Sequence, residues 1–493
     1  MKARSVPHAV RVFVLWLGLA ALGAPKTPPP AEPLVSAVDL DVGESREVRL
    51  SDGRTVTVAL RGVDERTDDV NGAVRQARVR LAVEGSEVEL VSGPYRLPVV
   101  FGEVQLDSPV TRGYLEKADS NPWALDKDAR IRLWPKGSPW IAPGTFAYPA
   151  RQRWFASLTQ MSNEPVYVDG GDTPRKETIY YHYGLDIGGC EGMVDVVAAT
   201  DGLVVSSGNE GLAGYEDTPA GPRYDVVYVR DARGWYYRYS HLKTIEREVR
   251  PGARLRMGQK IGLLGKEGGS GGWSHLHFDV TTPQPSGRYG IQEGYAFLWQ
   301  AYRDTYEPEV VAVARPHHLI WSGQTVRLDG SRSSGRGLSY EWTFGDGTTA
   351  TGAKVERAYD EPGSFAEILK VTDVDGNVDY DFAIVQVIDR THPDRLPPTI
   401  HAAYAPTWNV RPGYQVTFKV RTFRTREGEE TWDFGDGAPP VTVHSDGNAR
   451  THAPLGYGET DHRYERPGTY LVTVSRTDGY GQTATARLVV RVE

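Results

Sequence analysis

Cysteine is almost missing from this chain. Cys190 is the single one in 493 residues, so no internal disulfide can staple the fold and each domain must hold itself together by burial. Basic residues are not in excess: 56 Lys and Arg stand against 64 Asp and Glu, a net charge of -8. That balance argues against nucleic acid as the main partner. Apolar runs reaching the ~20 residues of a membrane-spanning helix are absent. Uninterrupted helical stretches are scarce too, because 54 Gly and 33 Pro are spread along the chain. With 26 Tyr, that composition favours strands and turns.

What is present begins with Lys2, Arg4 and Arg11, followed by an apolar run over 12–22 and the small residues Gly23 and Ala24. The pattern predicts a signal peptide over 1–24 and an exported protein, periplasmic or extracellular, with no stable membrane span after cleavage. No cysteine follows the run, which excludes a lipid-modified N-terminal cysteine. Residues 25–34 are Pro-rich and read as a lead-in. A chain of this length predicts three or four domains.

From 35 to 165, "REVRL", "TVTVAL", "ARVRLAV" and "VELV" alternate between apolar and polar, with Gly, Asp and Ser between them. They predict an N-terminal β domain without a catalytic constellation. From 166 to 308 further strand candidates follow, "DVVAAT", "YDVVYVR", "WYYRYSHL" and "HLHFDV" among them, and residues 293–306 carry helical spacing.

The last third repeats. "EWTFGDG" at 341–347 returns as "TWDFGDG" at 431–437, and "AYDEPGSF" returns as "RYERPGTY". Trp342 and Trp432 are 90 residues apart, whereas Tyr359 and Tyr464 are 105 apart, so the second copy carries fifteen extra residues between its motifs. These fall in 438–461 and predict an exposed loop. The two units, 309–390 and 395–493, have the length of β-sandwiches. They resemble PKD domains, immunoglobulin-like sandwiches marked by the Trp-x-Phe-Gly-Asp-Gly turn and a later Tyr-x-x-Pro-Gly. The first also has "LDGS" at 328–331, which the second lacks. The resemblance implies spacers or binders of surface protein or polysaccharide. For Asp346 and Asp436 a role in the turn is preferred to calcium binding.

Chemistry concentrates in the middle unit. "YYHYGLDIGG" holds His182 and Asp186, "YRYSHL" holds His241, and "GGWSHLHFDV" holds His275 and His277. The glycines around His182 and Asp186 disfavour a helical pair. In "HLHFDV" the strand period puts His275, His277 and Asp279 on one face and Leu276, Phe278 and Val280 on the other. Imidazole nitrogen and carboxylate oxygen suit zinc, and a hydrolytic zinc site uses three protein ligands with further groups beside the reacting carbonyl. The residue types alone leave open which of the five are ligands and which are helpers.

Residues 180–280 resemble the M23 metallopeptidases, the lysostaphin or LytM type of peptidoglycan endopeptidase. The match lies in His-x-Gly-x-Asp ("HYGLD"), Tyr-x-His-Leu ("YSHL") and His-x-His ("HLH"), in that order. The resemblance implies that His182, Asp186 and His277 bind Zn2+ and that His241 and His275 are the catalytic pair. Tyr239 is expected to share a strand face with His241 and is a candidate to line the site, Asp279 is a candidate to orient an imidazole, and for both a structural role is preferred to a catalytic one. "GGCEGMVD" and "GGSGGW" depart from the family's pattern, and Trp273 is a candidate for stacking on substrate or, equally, for local packing. Cys190 is expected to be buried and inert, with a weaker alternative as a ligand.

The expected fold is mainly β and multidomain: an antiparallel β-sheet metallopeptidase domain, an N-terminal β domain and two C-terminal immunoglobulin-like β-sandwiches. The resemblance implies an exported zinc metalloendopeptidase acting on peptidoglycan cross-links or stem peptides. The alternatives are a wall-binding relative that does not cut, and a metallopeptidase with an extracellular protein substrate.

Overall fold

The structure is a computed structural model that describes residues 33–165, 173–174 and 177–493; the segment read as a signal peptide lies outside them. Among the described residues, no helix is long and apolar enough to cross a membrane. The chain is mainly β, and most of its strand pairs are antiparallel.

The N-terminal unit is two four-stranded sheets. In Thr55–Thr67 the alternation seen in the sequence is the packing pattern: Val56, Val58 and Leu60 are buried while Thr55 and Thr57 are exposed. These side chains meet Leu106, Ile131 and Leu133 of the facing sheet. The chain after Pro135 leaves this core. Ile141, Phe146, Tyr148 and Met161 pack with Leu185, Phe278 and Val280 of the middle unit.

The middle unit is built on a nine-stranded sheet. Its centre runs Val227–Arg230, Tyr236–Ser240, His275–Pro283 and Leu185–Gly188. The helical spacing noted near 293–306 is the helix Tyr295–Tyr306, which buries Phe297, Trp299 and Tyr302 beneath that sheet. It stops at Glu307, a left-handed residue whose N–H bonds to the Arg303 carbonyl.

Both C-terminal units are sandwiches. Trp342 and Phe344 lie in the core of the first, Trp432 and Phe434 in that of the second. Gly347, at φ +81°, closes the hairpin in which the Phe344 N–H bonds to the Thr348 carbonyl. The two sandwiches are not separate beads. Gly363–Thr372 of the first pairs with Thr483–Val492 of the second, in parallel, at Gly363–Thr483 and Ser364–Ala484, so one nine-stranded sheet spans both.

Candidate active site and metal centre

His275–Pro283 is the strand on which the site is laid out. Its neighbours fix the register: Asp186 lies opposite His277 on one side and Ser240 lies opposite His277 on the other. Leu276, Phe278 and Val280 point into the core. His275, His277 and Asp279 therefore share the other face, as the period of two requires.

His182 sits before the neighbouring strand and is held by a short backbone ladder. The Asn163 N–H bonds to its carbonyl at 2.8 Å and its own N–H bonds to the Glu164 carbonyl at 2.9 Å. Gly184 makes the crossing possible. It has φ +80°, and a Cβ there would lie 2.7 Å from Asp279 Cβ and 2.8 Å from the Phe278 carbonyl oxygen.

His241 reaches the site by a different route from the one expected. Tyr239 does not share its face: the tyrosine ring packs on Phe278 in the core, and its hydroxyl accepts the Ala199 N–H at 2.7 Å. The reason is backbone conformation. His241 is left-handed, with φ +65°, which breaks the strand period and swings its ring to the opposite side. Asp225 holds it there by accepting the His241 N–H at 3.0 Å. No motif marked Asp225, because its role comes from this turn.

Five side chains thus converge: His182, Asp186, His241, His275 and His277, each at most 6% exposed. Nε2 of His182, Oδ1 of Asp186 and Nδ1 of His277 form a triangle with edges of 3.0, 2.9 and 3.0 Å. These are the three residues expected to bind metal, and they form the one such group among the described residues.

The second ring nitrogens bear on the proton positions. A carbonyl only accepts, so His182 Nδ1 carries the proton given to Met161 at 3.2 Å. His277 lies between two carboxylates, with Nε2 3.2 Å from Asp279 Oδ2 and Nδ1 2.9 Å from Asp186 Oδ1, and either nitrogen can donate. In the tautomer with the His277 proton on Nε2, the atoms that face each other across the triangle are two bare nitrogens and a carboxylate oxygen. Three electron-rich atoms packed together out of water call for a cation. Edges near 3 Å match the scale of ligands about 2.0–2.1 Å from one zinc ion.

His241 and His275 have the same tautomer as each other. His241 Nδ1–H donates to the Glu267 carbonyl at 2.6 Å, and His275 Nδ1–H donates to the Trp273 carbonyl at 3.1 Å. Their ring centres are 4.6 Å apart. Burial lowers both pKa values, that of His275 well below the usual range. Both rings rest neutral with Nε2 unprotonated. Burial also opposes a charge on His277, but the Asp186 and Asp279 carboxylates outweigh it and raise its pKa. For Asp186 burial pushes upward, and the His182 and His275 imidazoles outweigh it, holding the carboxyl well below its ordinary value.

Beyond the triangle the same sheet face continues into an open groove lined by Tyr183, Tyr228, Arg238, Asp279, Thr281 and Tyr289. Trp273 is not on that groove. It is 4% exposed, stacks on His275 at 3.9 Å, and packs against Phe423 of the second sandwich. Cys190 is buried and stands outside the cluster, and burial pushes its thiol up to about 12. Asp346 and Asp436 serve their turns, accepting the N–H groups of Thr348 and Ala438.

The stretch 438–461, which carries the fifteen extra residues, departs from the expected exposed loop. It contains Val441–Val443 and the start of Gly458–Arg463, and Asn448, His452 and Tyr457 between them bond to residues 268–274 of the middle unit. The sequence pattern offered no signal for this, since the groups that grip are polar and the groups gripped are backbone.

Comparison with known proteins agrees with this geometry. Residues 180–288 match the model of Peptidase family M23, and residues 307–387 and 402–492 match models of the PKD domain. Among solved structures, the chain is similar to Helicobacter pylori Csd3 in its orthorhombic crystal. The identity is 16%, over 50% of this chain and 82% of that chain, with a TM-score of 0.20. It is also similar to fibronectin(III)-like modules of Clostridium thermocellum CbhA, at 14% identity over 37% of this chain and 94% of that chain, with a TM-score of 0.15. At such TM-scores these likenesses carry no argument. Motif order, site geometry and family match together assign residues 180–288 to peptidase family M23, with two PKD domains following in the same chain.

Proposed function

We propose that this protein is an exported zinc-dependent endopeptidase that hydrolyses peptide bonds in peptidoglycan cross-links or stem peptides. The observation that carries the reading is the division of labour among the five buried side chains. His182, Asp186 and His277 bring three ligand atoms to one point, while His241 and His275 hold a free Nε2 beside it. Zinc bound by the first three would supply Lewis acidity, making water acidic enough to act near neutral pH and polarising a carbonyl.

The protein's own groups then do the proton work. A neutral Nε2 on one ring accepts the proton of the attacking water as oxygen bonds to the peptide carbonyl carbon. The imidazolium so formed stabilises the charge on the carbonyl oxygen. When the C–N bond breaks, Nε2–H returns a proton to the leaving amine. Nδ1, tied to a carbonyl in both rings, keeps each Nε2 aimed at the reacting atoms. The aromatic groove along Tyr183, Tyr228 and Tyr289 gives an extended peptide a place to lie.

All five positions are retained, which favours catalysis over wall binding without cleavage. The test is incubation of zinc-loaded protein with purified peptidoglycan, with products read by mass. New free amines are expected from the wild type and not from His275→Ala. Binding without new amines by folded, zinc-loaded protein would favour the wall-binding reading. Cleavage of extracellular protein but not of peptidoglycan would move the substrate class.

A further inference from the structure

The loop before His275 has little with which to hold its own shape. Residues 268–274 read "GGSGGWS", and Gly271 and Gly272 are left-handed at φ +67° and +92°. Within its own unit it has the Ser270 hydroxyl, which donates to the Lys266 carbonyl and accepts the Gly272 N–H at 3.1 Å. The Tyr224 hydroxyl accepts the Gly268 N–H at 2.7 Å, and the Gly189 N–H donates to the Ser274 carbonyl at 3.2 Å. The carbonyls of Gly268, Gly271 and Gly272 are met by the second PKD domain.

Arg421, 0% exposed, donates from Nη1 to the Gly272 carbonyl at 2.6 Å. Its guanidinium is itself locked by Asp446, at 2.9 Å from Nε and 2.8 Å from Nη2. Asn448 Nδ2 donates to the Gly271 carbonyl at 3.0 Å, and His452 Nε2 donates to the Gly268 carbonyl at 2.7 Å. The Ser274 N–H donates to the Tyr457 hydroxyl at 2.7 Å. A Cβ on Gly272 would strike Asn448 and Arg421. Between these anchors Trp273 is pressed against Phe423 and against the edge of His401, 5.3 Å away. Its other face stacks on His275, and its carbonyl takes the His275 Nδ1 proton.

We propose that the second PKD domain is a working part of the peptidase, in which Arg421 and Tyr457 are positioning residues that seat the 268–274 loop and, through Trp273, fix His275. The claim rests on the reading of His275 as a catalytic residue. A PKD domain acting only as a tether would have no need to satisfy the carbonyls of Gly268, Gly271 and Gly272. Here it does, and removing it would leave those groups and the Trp273 ring to water.

The test uses the full chain, loaded with zinc, and two mild variants. Tyr457→Phe removes one hydroxyl. Arg421→Lys keeps the charge and loses the planar fork that serves Gly272 and Asp446 together. Tryptophan is replaced by 5-fluorotryptophan, and the Trp273 fluorine line is assigned with Trp273→Phe. Both variants are expected to move or broaden the Trp273 line while the other lines stay in place. Zinc content should be unchanged, and kcat should fall about ten- to hundredfold with KM within about twofold. A Trp273 line that stays put in both folded variants, or a kcat within about twofold of wild type, would overturn the proposal. The fluorine arm needs no turnover. In a protein that cuts no substrate it still decides whether Trp273 is seated from the PKD domain, whereas the loss of all cleavage in wild type would count against the proposed function.

Discussion

Nε2 of His182 and Nδ1 of His277 face each other across 3.0 Å, and Asp186 Oδ1 lies within 3.0 Å of both. The other nitrogen of each ring has its own acceptor, the Met161 carbonyl for His182 and Asp279 Oδ2 for His277. With a single proton on each ring, held at that other nitrogen, the triangle turns lone pairs inward in a dry core. It becomes sensible when a cation stands between the two nitrogens and Asp186.

Metal binding should therefore be coupled to stability. An ion that binds only the folded chain adds about 2.7 kcal/mol at a hundredfold excess over its Kd. Calorimetric melting with and without a chelator is expected to show a higher Tm with zinc. His277→Ala should remove that difference, with one of the three donors gone.

Asp279 acts through the ring it holds. Asp279→Ala leaves all three metal donors in place but frees His277 Nε2, so zinc affinity should weaken by about 10- to 100-fold. Competition against a chromophoric chelator measures this directly, and an unchanged affinity would mean that Asp279 serves only the fold.

Gly184 is a close-packed point in the layout of the site. Its Cβ position is closed off by backbone and side chain of the site strand, and its φ is +80°. Gly184→Ala should cost about 1–3 kcal/mol from strain alone. It should also weaken zinc binding, because His182 and Asp186 flank the displaced turn. Denaturant melts and the same chelator competition check the two effects together.

The seam between the second PKD domain and the peptidase should be sensitive to acid. Burial lowers the pKa of His401 to about 3, against 6.5 in the unfolded chain. Between those values the unfolded state binds the extra proton, so stability is complete above pH 6.5 and falls as pH drops toward 3. From pH 7 to pH 5 this one group should remove about 2 kcal/mol. His401→Phe should flatten that part of the slope, at a pH-independent cost for the lost bond to the Tyr457 hydroxyl. Denaturation midpoints of the two proteins across that range give the comparison.

Much of the site could be read from the chain because its chemistry follows backbone periodicity. The alternation in "HLHFDV" places two imidazoles and Asp279 on one face, and the structure keeps that arrangement. His241 obeyed no period, since a single left-handed residue reversed its face and left Tyr239 in the core. Trp273 was legible as an aromatic beside the site, but not that it stacks on His275. The PKD turns were legible because Trp, Phe and Gly have fixed places in that hairpin. The fusion of the two sandwiches at Gly363–Thr483, and the grip of the insertion on a glycine loop, were not. Both depend on backbone groups that every residue carries.

The sharpest measurement compares wild type with His275→Ala, both zinc-loaded and both confirmed folded, on purified peptidoglycan, with the products resolved by mass. His275→Ala leaves His182, Asp186 and His277 intact, so zinc should still bind. New free amines from wild type, and their absence from the zinc-loaded variant, are the predicted result. Equal cleavage by the two proteins, or none by either, would contradict the account.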